Sequence, residues 1–147
     1  MEKIVIGSDH AAIEMKSAAI AYLQNYRCEV IDAGAHGLDR VDYPDYAAKV
    51  CEAVLRDSKS SGILICGTGI GMSIAANKFR GIRAALCHDA YTAQMARKHN
   101  DANILCFGSR SIGLGAMETI IDAWLNADFE GGRHSARIAK IAELETK

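Results

Sequence analysis

The chain has 147 residues, half of them hydrophobic and 24% charged, with a net charge of −1. That length supports one domain with a buried core, residues 1–147, and the charge balance leaves nothing to neutralise the phosphates of a nucleic acid or an anionic membrane. No window reaches the roughly 20 apolar residues of a membrane helix and no signal pattern opens the chain, while five cysteines without a Cys-x-x-Cys pair suit a reducing compartment; the expectation is a cytoplasmic protein.

In chain order, Ile4-Val5-Ile6 is a short β-branched run closed by Gly7, the pattern of a strand buried on both faces. Met15, Ala19, Tyr22 and Tyr26 follow at helical spacing, and Glu29-Val30-Ile31 is a second strand ended by Asp32-Ala33-Gly34. The only proline, in Asp42-Tyr43-Pro44, suits the first turn of a helix over about 45–55. Gly62 to Cys66 is the third strand, broken by Gly67-Thr68-Gly69-Ile70-Gly71 before helical pattern resumes through Ile74 to Lys78. Ala84-Ala85-Leu86 is a weaker strand, followed by a helix over about 90–98. Ile104 to Phe107 is the fifth, then come a helix over about 114–125, Gly131-Gly132, and a last helix from Arg133.

Strands interleaved with helices imply parallel pairing, so the expected fold is α/β: a single doubly wound sandwich, a five-stranded parallel sheet with helices on both faces. Ligands of such sheets bind at the carboxyl ends of the strands. Those positions hold Ser8-Asp9-His10, Cys66 with the glycine turn, His88-Asp89, and Gly108-Ser109-Arg110.

Alternate glycines let backbone N–H groups converge on an anion, and a helix start adds positive potential; a tight strand–helix turn explains the same glycines without a ligand. Met72-Ser73 follows where a nucleotide P-loop needs Lys-Ser/Thr and a cysteine phosphatase needs arginine. The spacing and position also differ from a dinucleotide fingerprint, which leaves a small anion. Cys66 stands at the mouth of this turn, where negative charge on sulfur is favoured and a thiolate can remove a proton from carbon. Cys28, Cys51, Cys87 and Cys106 read as inert buried thiols.

Arg133 and Arg137 project from one face of the last helix, either as a solvated basic face or as an anion clamp. The turn Glu130-Gly131-Gly132 is able to fold that helix back across the ligand edge of the sheet, which raises the second reading. His99 sits in a basic run that caps a helix end. His10 has the stronger address, beside Asp9 at a strand end. Cys66, His88 and Cys106 have no metal-ligand spacing, so no metal is expected.

With these residues assembled, the chain resembles the type B ribose-5-phosphate isomerases and the related galactose- and allose-6-phosphate isomerases. The resemblance runs through Gly7-Ser8-Asp9-His10, Asp42-Tyr43-Pro44, Gly62 to Lys78, Gly81-Ile82-Arg83-Ala84 and His99-Asn100-Asp101-Ala102-Asn103. It continues through Gly108-Ser109-Arg110, and Glu130 to His134 with Arg137. Ala11-Ala12 departs mildly from the family pattern, and His88 has no assignment.

The resemblance implies an aldose–ketose isomerase that needs no cofactor or metal and interconverts ribose 5-phosphate and ribulose 5-phosphate through a cis-enediolate. Cys66 is the implied base, and the backbone of Gly67, Gly69, Ile70 and Gly71 the oxyanion cradle. Thr68 is implied to move a proton between oxygens, and His99 to open the sugar ring. Asp9 contacts the sugar, His10, Arg133 and Arg137 hold the phosphate, and Asn100, Arg110 and Tyr43 line the pocket. Family members are homodimers or dimers of dimers whose pockets are shared between subunits. A six-carbon sugar phosphate is the alternative substrate, with a non-catalytic nucleotide-binding module or a degenerate pocket-completing subunit as the other readings.

Overall fold

The computed structural model describes residues 3–147. Five strands, β1 (Lys3–Ser8), β2 (Glu29–Asp32), β3 (Ser60–Cys66), β4 (Ala84–Leu86) and β5 (Ile104–Gly108), form one parallel sheet in the order β2-β1-β3-β5-β4. The helices are α1 (Ile13–Leu23), α2 (Tyr43–Arg56), α3 (Ile70–Ala76), α4 (Ala90–Asn100), α5 (Leu114–Leu125) and α6 (Arg133–Leu144). This is the doubly wound sandwich expected from the alternation of patterns.

Side chains alternate across a strand, and the sheet uses both sets. Ile4, Ile6, Ile63, Ile65, Leu105 and Phe107 bury against α1, α4 and α5, around the fully buried Trp124. Val5, Leu64, Cys66, Ile104 and Cys106 bury on the other face, against α2 and α3. In α2 the buried stripe Ala47, Val50, Cys51, Val54 repeats at helical spacing, and Pro44 lies in its first turn. Asp89 caps α4, its carboxylate accepting the Thr92 N–H at 2.7 Å.

Two element limits differ from expectation. α1 stops at Leu23, and Tyr26 follows it in a turn. Tyr26 is held there by Asp122 of α5, whose other carboxylate oxygen takes the Tyr22 hydroxyl at 2.6 Å. A cross-chain hydrogen bond, rather than continued helical packing, explains that spacing. The helix expected from Ile74 begins earlier, at Ile70, so Gly71 belongs to its first turn. No described helix is long and apolar enough to cross a membrane.

Candidate active site

Cys66 ends β3, 5% exposed, on the α2–α3 face of the sheet. Its sulfur accepts the backbone N–H of Gly69 at 3.2 Å, an arrangement that stabilises negative charge on sulfur. Cys51 and Cys87 instead have S–H groups facing the carbonyls of Ala76 and Ala85. Burial pushes their thiols up to about 12 and about 11, and also raises Cys28 and Cys106. Those four stay protonated, as small apolar residues.

The turn after Cys66 needs glycine at two of its three glycine positions. Gly69 sits at φ +79°, and a Cβ there would lie 2.8 Å from the carbonyl carbon of Phe107. A Cβ on Gly71 would lie 2.5 Å from the Tyr43 ring. At Gly67 the nearest atom to such a carbon is 3.6 Å away, on Arg110, so a methyl group fits. Two amides of the turn are engaged internally: Gly69 N–H on the sulfur, and Ile70 N–H on Thr68 Oγ1 at 3.2 Å. An incoming anion competes with both contacts. Because α3 has only seven residues, local N–H groups rather than a long helix dipole dominate the potential here.

Asp9, Tyr43, Cys66, Gly67, Thr68, Ile70 and Gly71 line one cavity of about 440 Å³. Asp9 is buried, and its carboxylate accepts the Ala11 N–H at 3.1 Å, which fixes its rotamer. His10 and Arg110 line a second cavity of about 470 Å³, whose wall adjoins the first: His10 follows Asp9 in the chain, and the Arg110 N–H donates to the Gly67 carbonyl. Val41 N–H donates to His10 Nδ1 at 3.1 Å, so in the neutral ring the proton sits on Nε2. Ala12 is buried in the core, and the Ala11 carbonyl accepts Ser109 Oγ–H, which gives the alanine pair a packing role.

His99, Asn100, Arg133 and Arg137 are elsewhere. α4 starts beyond the carboxyl end of β4 and finishes at Asn100, just before β5 begins. Ile104 opposite Gly62 and Gly108 opposite Cys66 set the direction, so His99 lies at the amino end of the sheet and Cys66 at the other. Five strand residues separate these ends, on the order of 15 Å. The last helix does not fold back over the ligand edge of its own sheet. Glu130 N–H donates to the Lys98 carbonyl, and Glu145 accepts the Gly81 N–H, which ties α6 along the amino edge at both ends.

At that edge the His99 and His134 rings stack, with centroids 4.3 Å apart and planes inclined by 14°. Glu130 Oε1 lies 3.5 Å from His99 Nε2 and 3.9 Å from His134 Nε2. Burial lowers the His134 pKa, and His99, Arg133 and Arg137 push it the same way against Glu130. Arg133 and Arg137 are exposed.

Residues 4–141 match the family model described as Ribose/Galactose Isomerase. The chain belongs to that family. It is 50% identical over 147 residues to the ribose-5-phosphate isomerase B of Escherichia coli, covering 100% of this chain and 99% of the relative. The solved ribose-5-phosphate isomerase B of Clostridium thermocellum superimposes with a TM-score of 0.95 at 53% identity, covering 98% of this chain and 97% of that one. A type B ribose 5-phosphate isomerase from Trypanosoma brucei gives 0.94 at 46% identity, covering 98% and 99%.

As a member of the Ribose/Galactose Isomerase family the chain is a sugar-phosphate isomerase, and a bare nucleotide-binding module is set aside. Among the described residues, one chain brings together Cys66, Thr68, Asp9, Tyr43 and the glycine turn, with His10 and Arg110 adjoining. It does not bring His99, Asn100, Arg133 or Arg137 to them. Sequence reasoning had no role for His134 and Glu130, although their four-residue spacing puts them on one side of a turn. It also passed over Lys16, which is buried and bonded to Asp32 at 2.7 Å and to the Ala35 carbonyl at 2.6 Å.

Proposed function

We propose that this chain interconverts ribose 5-phosphate and ribulose 5-phosphate through a cis-enediolate, without metal or organic cofactor, in the cytoplasm. The carrying observation is Cys66, whose sulfur receives the Gly69 N–H at the wall of the cavity it shares with Asp9 and Thr68. The thiolate takes the proton from C2 of the open-chain aldose, the C1 oxygen gains the charge, and the resulting thiol, whose proton exchanges with solvent, delivers a proton to C1. Backbone N–H groups of Gly67, Gly69, Ile70 and Gly71 meet that charge; donors of this kind typically contribute ~10²–10³ in rate each. Thr68 Oγ1 already accepts from Ile70, so its own O–H is left to serve the two sugar oxygens.

His99 opens the furanose by moving a proton from the anomeric hydroxyl to the ring oxygen, an action that commonly supplies ~10²–10⁴-fold. Asp9 holds sugar hydroxyls and Tyr43 borders them. His10, through Nε2–H, joins Arg133 and Arg137 on the phosphate, with Asn100 and Arg110 lining the pocket. Since His99, Asn100, Arg133 and Arg137 lie at the far edge of their own chain, a second copy supplies them, and the working unit is a homodimer or a pair of dimers. Ile70, Ile74 and Tyr91, exposed by 50%, 58% and 69% around the carboxyl edge, give that copy an apolar surface to cover.

The test is to supply ribose 5-phosphate and allose 6-phosphate separately, with EDTA present, and follow ketose formation. Faster turnover of ribose 5-phosphate supports the proposal. Preference for the six-carbon sugar overturns the substrate, and loss of activity to the chelator overturns the metal-free mechanism.

A further inference from the structure

We infer that His99, Glu130 and His134 form a binding site for a zinc-class metal ion, and that filling it silences ring opening. Binding stands on geometry alone, whereas the consequence rests on the role proposed for His99. One ligand atom from each residue lies within 4.8 Å of the other two. Tetrahedral zinc with bonds of about 2.0–2.1 Å holds its ligand atoms roughly 3.4 Å apart. The two nitrogen-to-carboxylate distances, 3.5 and 3.9 Å, are already near that value. Small rotations of the stacked rings, turning their Nε2 lone pairs inward, complete the three-ligand set.

The frame around these atoms is built. Glu130 N–H on the Lys98 carbonyl at 3.0 Å fixes the turn to the end of α4, and His134 N–H on the Gly131 carbonyl at 3.1 Å closes the first turn of α6. His134 is buried while Glu130 is half exposed, so one ligand is held by packing and the open side faces solvent. A fourth position there remains for water or an anion.

The chemistry selects the ion. Arg133 and Arg137 flank His134 and oppose any cation, and one carboxylate offsets little of that charge. Calcium and magnesium need oxygen ligands and would be rejected, while zinc gains from bonds to two imidazoles. Once Nε2 of His99 is committed to the metal, that ring cannot carry the proton that opens a furanose.

Calorimetry with Zn²⁺ on the full-length Cys66→Ala protein tests binding without the competing thiolate, and Mg²⁺ serves as control. One zinc per chain and no Mg²⁺ binding are expected. Glu130→Gln and His134→Asn should each weaken zinc binding on the order of 10–100-fold, the scale of a lost contact at such sites. Glu130 is exposed, so its variant keeps the test decisive if the histidine variant misfolds. Zinc that does not bind, or binds Glu130→Gln equally well, overturns the site.

In protein with Cys66 intact, zinc at the level that half-fills the site in Cys66→Ala should slow turnover of ribose 5-phosphate more than it slows exchange of solvent deuterium into C1 of the open-chain ribulose 5-phosphate. Glu130→Gln should need more zinc for that inhibition by the same factor. Equal loss of both reactions, or equal sensitivity of the variant, overturns the regulatory role. Failure of metal-free protein to isomerise ribose 5-phosphate refutes the proposed function, and calorimetry still decides the site.

Discussion

The backbone N–H of Gly69 meets the sulfur of Cys66 at 3.2 Å, and the same glycine is wedged between Leu86 and Phe107. A Cβ on it would lie 2.7 Å from Leu86 Cδ1 and 2.8 Å from the Phe107 carbonyl carbon, at a φ of +79°. Gly69→Ala therefore adds about 1–2 kcal/mol of backbone strain to about 1–3 kcal/mol of overpacking. Thermal melts should show a clear loss for Gly69→Ala and near-native stability for Gly67→Ala. Equal losses would contradict the assignment of glycine need within this turn.

Thiol chemistry separates the cysteines. Cys51 and Cys87 are pushed up to about 12 and about 11 by burial, and Cys106, fully buried, is raised as well. Iodoacetamide near pH 8 should label Cys66 first, and ribose 5-phosphate should protect it. Mass spectrometry of the tryptic peptides reads both outcomes. First labelling at Cys28, the half-buried thiol, would count against an activated sulfur at Cys66.

Lys16 and Asp32 carry an asymmetric stability prediction. The lysine side chain is 3% exposed and the aspartate 35%. Burial acts against the Asp32 charge, but hydrogen bonds from Lys16 and the Gly34 N–H outweigh it and hold the carboxyl below its ordinary value. Asp32→Asn strands a buried ammonium and should cost about 3–5 kcal/mol. Lys16→Met leaves a carboxylate that water can reach, for about 1–3 kcal/mol. Urea melts at pH 7 decide it, and a larger loss for Lys16→Met would refute the account.

A carboxyl lowered by folding stabilises the protein above its unfolded value of about 3.9, and that contribution disappears as pH falls through the lower folded value. The native protein should therefore lose stability below about pH 4 more steeply than Asp32→Asn does, read from urea midpoints across that range.

Subunit sharing has its own test. Cys66→Ala and His99→Asn should each be nearly inactive alone. Unfolded together and refolded in equal amounts, they form mixed dimers in which one pocket regains both groups. Recovery should approach about a quarter of native activity if dimers assort at random. No recovery would mean that Cys66 and His99 do not serve one pocket across an interface.

Much of the sheet was legible because buried parallel strands are written locally: Ile4 to Ile6, Gly62 to Cys66 and Ile104 to Phe107 are apolar runs ended by glycine or by chemistry. The Cys66 corner was legible for the same reason, since its cavity is built largely by residues adjacent along the chain. Tyr26 misled because its periodicity serves a hydrogen bond to Asp122, a residue about a hundred positions away. The turn Glu130-Gly131-Gly132 misled about the path of the last helix because α6 is steered by Glu130 and Glu145 anchoring on α4 and on Gly81, contacts that no local pattern records. The burial of Lys16 is explained by partners distant along the chain, Asp32 and the Ala35 carbonyl.

The most direct measurement is proton exchange catalysed by Cys66→Ala. In deuterium oxide, the native protein should wash solvent label into C1 of ribulose 5-phosphate as it turns over. The variant should fold normally, keep binding the sugar phosphate, and lose exchange and isomerisation together by orders of magnitude. Exchange persisting near the native rate would show that another group removes the proton.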